Sequence, residues 1–286
     1  HSVLRTKVMA GAAAISKPLQ IVVTQADLPW KTIDWTDSQD ADSLLAQFLE
    51  NDRQQGFDLE SPPLMRFFAI RMPGGQVKFL WSHHHIILDG WSVSLLITQL
   101  TKLYDLEAHL HSSLPVPPGQ FVSFAESQLK RESNGAHKAA ESTFWKKYLN
   151  DFGAPSPLPG ASGSINSLET KESTLSIPSV DTSLLAFCKR SGITFNTLLQ
   201  AAWSLLLADY TRERDLVFGS TSSGRADATL THVEMITGLF INTLPVRVLV
   251  DRHRNLFDWL NTLQLNHVES MEFETSSLVA VQACSQ

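Results

Sequence analysis

Two apolar runs joined by a short turn constrain this chain more than any other feature. Leu64 to Met72 and Val77 to Ile87 flank Pro73-Gly74-Gly75-Gln76, a turn that sends the second run back beside the first. Apolar residues stand at neighbouring positions in both runs, so neither can keep one whole face in water. The hairpin is therefore expected in the middle of a sheet covered on both sides. A covering element follows at once, because Val93, Leu96, Ile97, Leu100, Leu103 and Tyr104 share one face at helical spacing. Strands followed by amphipathic helices predict an α/β fold.

The second half repeats these element types. Helices are predicted over about Asp181 to Arg190, stopped by Gly192, and from a Thr194 cap to about Tyr210. Strands are predicted over Leu216 to Ser220 and Leu239 to Val250, with a polar loop from Ser222 to His232 between them, and a last helix over Leu256 to Met271. Trp203 reads as core. Between the halves, residues 151–170 carry three Gly, three Pro and four Ser, the composition of a linker. The boundary is expected there, giving an N-terminal lobe over 1–160 and a C-terminal lobe over 161–286. Two lobes suit 286 residues, since single cores stop growing near about 250–300 residues.

Composition excludes several classes. The net charge is −6 and the longest basic runs are pairs such as Lys146-Lys147, so no basic stripe marks a nucleic-acid partner. Cys188 and Cys284 have no metal or disulfide spacing, and Cys188 reads as a small apolar residue on a helix. No apolar run approaches the roughly 20 residues of a membrane span, and His1-Ser2-Val3-Leu4-Arg5 is not a signal peptide. A cytoplasmic setting without membrane partners is the expectation.

The chemistry concentrates in His83-His84-His85-Ile86-Ile87-Leu88-Asp89-Gly90-Trp91-Ser92, where a buried strand gives way to a helix. Such ends open into crevices in α/β folds. Alternation would set His83 and His85 on one face and His84 on the other. Gly90 permits a sharp turn. Several readings stay open at this level: satisfied interior histidines, Asp89 as a plain helix cap, or His83 and His85 as two ligands of a metal whose third ligand is unmarked. From residues alone the segment is a histidine near a crevice, able to move protons near neutral pH.

His84-His85-Ile86-Ile87-Leu88-Asp89-Gly90, continued by Trp91-Ser92, matches the His-His-x-x-x-Asp-Gly motif of nonribosomal peptide synthetase condensation domains, and the chain resembles that family along its whole length. His1-Ser2-Val3-Leu4-Arg5-Thr6 is similar to the tail of the family's Arg-His-x-x-Leu-Arg-Thr motif. Phe121-Val122-Ser123-Phe124-Ala125 resembles Tyr-x-Asp-Tyr-Ala, with Phe for both Tyr and Ser for Asp. Gly238-Leu239-Phe240-Ile241-Asn242-Thr243-Leu244 is close to Gly-x-Phe-Val-Asn-Thr-Leu, and Phe144 to Leu149 and Phe218-Gly219 to Ser223-Gly224-Arg225 also look like the family.

The resemblance implies two chloramphenicol acetyltransferase-like lobes in a V-shaped pseudodimer, here truncated at both ends. It implies amide formation between aminoacyl or peptidyl thioesters held on the phosphopantetheine arms of upstream and downstream peptidyl carrier domains. An adjacent adenylation domain is a further implied partner; no directly bound cofactor and no metal are implied. His85 is the implied catalytic histidine, beside His84, Asp89 and Gly90, and it removes a proton from the amine or positions it and stabilises the oxyanion. Arg5, Trp91, Ser92 and Asn242 are the implied supports, Arg5 through an ion pair with Asp89. Ester-forming and starter (fatty-acyl) condensation domains share the motif, and a non-catalytic docking domain usually lacks the second histidine. The sibling epimerisation domain places a Glu in the loop that here reads Thr221-Ser222-Ser223-Gly224-Arg225-Ala226, and a cyclising variant places Asp where His84 and His85 stand.

Overall fold

The computed structural model describes residues 1–10, 18–107, 119–153, 158, 174, 182–226 and 229–285. These fall into two compact units, His1–Lys130 with Asp227–Ile241 and Arg131–Ala226 with Asn242–Gln286. The division differs from a single cut at residue 160. Three chain crossings set it: the second unit already begins at Arg131, and the segment Asp227–Ile241 goes back to the first before the chain re-enters the second at Asn242. Most of the expected linker lies outside the described residues.

In the first unit β1 (Thr6–Met9) pairs antiparallel with β2 (Leu19–Val22). A second sheet has β4 (Met65–Arg71) in its centre, with β3 (Trp30–Asp34) parallel on one side and β5 (Val77–His83) antiparallel on the other. The expected hairpin forms with register Met65↔His83 to Arg71↔Val77, and its turn needs Gly74 and Gly75 at φ of 77° and 79°. One sheet face buries Phe68, Ile70 and Met72 against Leu45 and Phe48 of α1 (Ala41–Gln55).

The other face departs from expectation. Among the described residues β5 is an edge strand, and this face carries the aromatic stack Trp30, Phe67, Phe79 and Trp81, with neighbouring centroids 5.6–6.1 Å apart. Trp30 and Phe79 remain 53% and 52% exposed. The rings shelter one another on this face. Likewise, α2 (Gly90–Glu107) packs Val93 and Leu96 on the core of Val3, Leu64, Ile87 and Leu88 but leaves Ile97, Leu100 and Tyr104 exposed. Periodicity marks an apolar face without saying what covers it.

The second unit contains α4 (Gly135–Tyr148), α5 (Thr182–Ser191), α6 (Phe195–Thr211), α7 (Leu256–Met271) and the short α8 (Leu278–Gln282). Its strands β6 (Asp215–Ser222) and β7 (Asn242–Leu249) pair antiparallel from Asp215↔Leu249 to Ser222↔Asn242. Cys188, Ala201, Val246, Val248, Leu260 and Leu263 lie in its largest core cluster. Thr194 caps α6 by accepting the Thr197 N–H at 3.1 Å, and Gly192 ends α5 at φ +66°. Two expectations change. Trp203 is about half exposed rather than core, and the strand expected from Leu239 starts at Asn242, because residues before it bond elsewhere. α3 (Phe121–Ser133) joins the two units in sequence.

Candidate active site

The strand carrying the histidines stops before it reaches them all. His84 N–H donates to the Leu64 carbonyl at 2.9 Å, and the chain then turns, with the Ile87 N–H on the His84 carbonyl at 3.3 Å. This turn breaks the alternation that would pair His83 with His85. His84 is built into it: its Nδ1 accepts the Ile86 N–H at 3.1 Å, which leaves Nε2 as the protonated nitrogen of the neutral ring, and its ring stands edge-on to Phe57. His83 is half-buried beside Trp81, with centroids 5.2 Å apart. Burial holds the His83 pKa below the ordinary imidazole value; a backbone hydrogen bond at His84 opposes this, and His85 and His84 add to it. His85 differs from both, being exposed on the turn and making no hydrogen bond among the described residues.

What holds the turn in place is Asp89, with no solvent exposure. Its Oδ1 accepts the Ser92 N–H at 2.7 Å, the cap expected at the start of α2. Its Oδ2 does more, accepting the Phe240 N–H at 3.0 Å. The same stretch is bonded twice over: Ser92 Oγ donates to the Gly238 carbonyl at 2.7 Å, and the Gly238 N–H donates back to that oxygen at 3.0 Å. The Asp89 N–H also reaches the Gly238 carbonyl, at 3.3 Å. Residues 238–240 thus form a polar splint along the turn between His85 and α2. Trp91 adds a bond from Nε1 to the Glu234 carbonyl at 2.9 Å.

Packing explains why the splint has its sequence. A Cβ on Gly238 would overlap the Phe121 ring. Phe121, Phe124 and Phe240 form one aromatic cluster with centroids 4.5–5.6 Å apart. The sequence motifs around Phe121 and Gly238 are therefore one structural device, which local reading did not find. Pairing their small and large residues across more than a hundred positions was the available signal.

One expected support, Arg5, acts elsewhere, and another, Asn242, lies in the other unit. Arg5 does not take the role of ion-pair partner to Asp89: its guanidinium donates to the carbonyls of Val23 and Thr24 at 2.5 and 2.6 Å, tying the chain start to the end of β2. Asn242 lies in the second unit, donating from Nδ2 to the carbonyls of Glu274 and Ser276 at 2.8 and 2.7 Å. Gly90 has no positive φ, and a Cβ there would meet no atom within 4 Å, so the turn itself does not require glycine. Sequence reading also passed over Glu274, buried in the second unit as an acceptor for the Ser222–Ala226 loop.

Chemically, the arrangement presents one imidazole to solvent from a backbone fixed by a buried carboxylate. An exposed imidazole on a fixed backbone can serve as a general acid or base. Among the described residues no three His, Cys, Asp or Glu side chains are grouped to hold a metal, and no helix is long and apolar enough to cross a membrane.

Comparison with known proteins agrees on one kinship. The model of the condensation domain family matches residues 1–280. A linear gramicidin synthase polypeptide of Brevibacillus parabrevis is 35% identical over 295 residues, covering all of this chain and 6% of that protein. Bacitracin synthase 3 of Bacillus licheniformis is 31% identical, covering 95% of this chain and 4% of that protein. A variant of the starter condensation domain of rhizomide synthetase, solved with C8-CoA, superposes with a TM-score of 0.78 at 20% identity, over 99% of this chain and 62% of that one. A four-domain nonribosomal peptide synthetase bound to AMP and glycine gives 0.74 at 22% identity, over all of this chain and 21% of that one. The chain thus spans a small part of the curated relatives and under two thirds of the solved starter domain. The expected α/β fold of the chloramphenicol acetyltransferase type is the fold of these structures.

Proposed function

The chain belongs to the condensation domain family of nonribosomal peptide synthetases, and from that premise we propose that it forms amide bonds between two carrier-borne acyl groups. The acceptor amine attacks the donor thioester carbonyl, a C–N bond forms, and the C–S bond breaks. The donor arm leaves as thiolate and takes up the proton that the nitrogen loses. His85 removes that proton and orients the amine; orientation alone supplies roughly 7–11 kcal/mol in well-placed reactions.

The observation that carries this reading is the contrast between the two motif histidines. The ring of His84 is used by the turn, whereas His85 is exposed and anchored through Asp89. The open space at Gly90 suits close approach of a substrate to the backbone at the start of α2. The substrates arrive on phosphopantetheine arms of upstream and downstream peptidyl carrier domains, with an adenylation domain next in the assembly. The relatives named above are peptide synthetases, which favours an amine over an alcohol nucleophile. The test is His85→Ala in the synthetase that contains this chain, with both carriers loaded. Amide formation should fall by about 100-fold or more, the usual worth of a positioned proton-transfer group. An unchanged rate would overturn the assignment.

A further inference from the structure

The segment Asp227–Ile241 leaves the second unit after β6 and returns at β7. Its departure and its return are fastened to the same short stretch of chain. Glu274, 3% exposed, accepts the Ser222 hydroxyl and the Gly224 N–H on Oε1, the latter at 2.7 Å, and the Ala226 N–H on Oε2 at 3.0 Å. Gly224 at φ +67° turns the loop so that its N–H groups converge, an anion cradle of the kind that backbone nests form. Here the anion is the chain's own carboxylate. On the return side, Asn242 donates to the carbonyls of Glu274 and Ser276. Ser222 and Asn242 are also register partners of β6 and β7, so the two ends start from adjacent points.

We propose that Glu274 is a positioning residue for the histidine site. It touches no reacting group. It fixes where the segment departs, and near the segment's return, just before Asn242, lies the splint whose Gly238 and Phe240 hold Ser92 and Asp89. Each set of hydrogen bonds lies within its own unit, and the covalent chain links them. A segment pinned at both ends samples few conformations. Loss of one anchor lets the splint wander, and its bonds to the turn below His85 open more often. The catalytic consequence rests on the proposed amide-forming reading; the structural one does not.

Glu274→Gln in the intact synthetase separates the two. The amide keeps the volume but turns one acceptor into a donor facing backbone N–H groups. Hydrogen exchange followed by mass spectrometry should show faster exchange over 222–226 and, in the same variant, over 238–240. Amide formation should slow by about tenfold or more, in keeping with the rate lost when a reacting group is misplaced by about 1 Å. Ser222→Ala, which thins the cradle and leaves the carboxylate, should give a smaller change of the same pattern and serves if Glu274→Gln does not fold. Faster exchange confined to 222–226, with 238–240 as in the wild type, overturns the inference. A wild-type synthetase that forms no amide removes the proposed function, and the exchange pattern still decides the role of Glu274.

Discussion

Single atoms decide the most at Gly238. Its N–H and C=O both bond Ser92, and its missing Cβ is where the Phe121 ring sits. Gly238→Ala forces the ring and the splint apart, an overpacking that typically costs about 1–3 kcal/mol. Urea unfolding should report a loss in that range, and a loss under about 0.5 kcal/mol would mean that the site yields freely. Because the strain is shared with one ring, adding Phe121→Leu should cost less than the two changes separately, a coupling that a double-mutant cycle measures. Asp89 shows why such a residue is hard to read in one dimension. Its cap to Ser92 is local and the sequence announces it. Its bond to Phe240 spans about one hundred and fifty positions and leaves no local trace.

Elements were legible where their signals are local. Thr194 reads as a cap and accepts the Thr197 N–H; Gly192 reads as a stop and ends α5 at positive φ. Thr194→Ala should cost about 1 kcal/mol, the usual worth of a side-chain cap. The loss should rise when Gln264 is also replaced, because Gln264 Oε1 accepts from the Thr194 N–H and the Thr197 hydroxyl. Equal denaturation midpoints for the wild type and Thr194→Ala would show that the cap adds nothing. Boundaries failed where a non-local bond outcompeted propensity. Residues 239–241 have strand-like composition, but Phe240 donates to Asp89, so β7 waits until Asn242. The same holds for Arg5, whose fork reads as a partner for a buried carboxylate and is taken by two carbonyls beside β2. Burial was overread for Val77 and Phe79, since an apolar run looks the same whether helices or neighbouring rings cover it.

For the whole chain, the division into units was the least legible feature, because a Gly/Pro/Ser-rich linker is conspicuous and a returning segment is not. The segment reads as loop and strand, yet it supplies the backbone groups that fix the histidine turn. Each unit also holds a half-buried histidine whose proton affinity burial changes, His83 in the first and His267 in the second. Burial lowers the pKa of both; for His267 the charge of Glu274 opposes the shift. The folded state therefore binds these protons less readily than the unfolded chain, whose histidines titrate near pH ~6.5. Since the slope of stability with pH follows the excess of protons on the unfolded chain, the contribution is complete above about pH 6.5 and is lost as pH falls toward the depressed folded values. Urea midpoints should hold steady between pH 8 and 7 and fall between about pH 6.5 and 5. Replacing both by Gln should flatten that fall in proportion to their share of it, while carboxylates set the slope at still lower pH. A double variant whose midpoint falls as steeply as the wild type over that window would place the acid sensitivity in other groups.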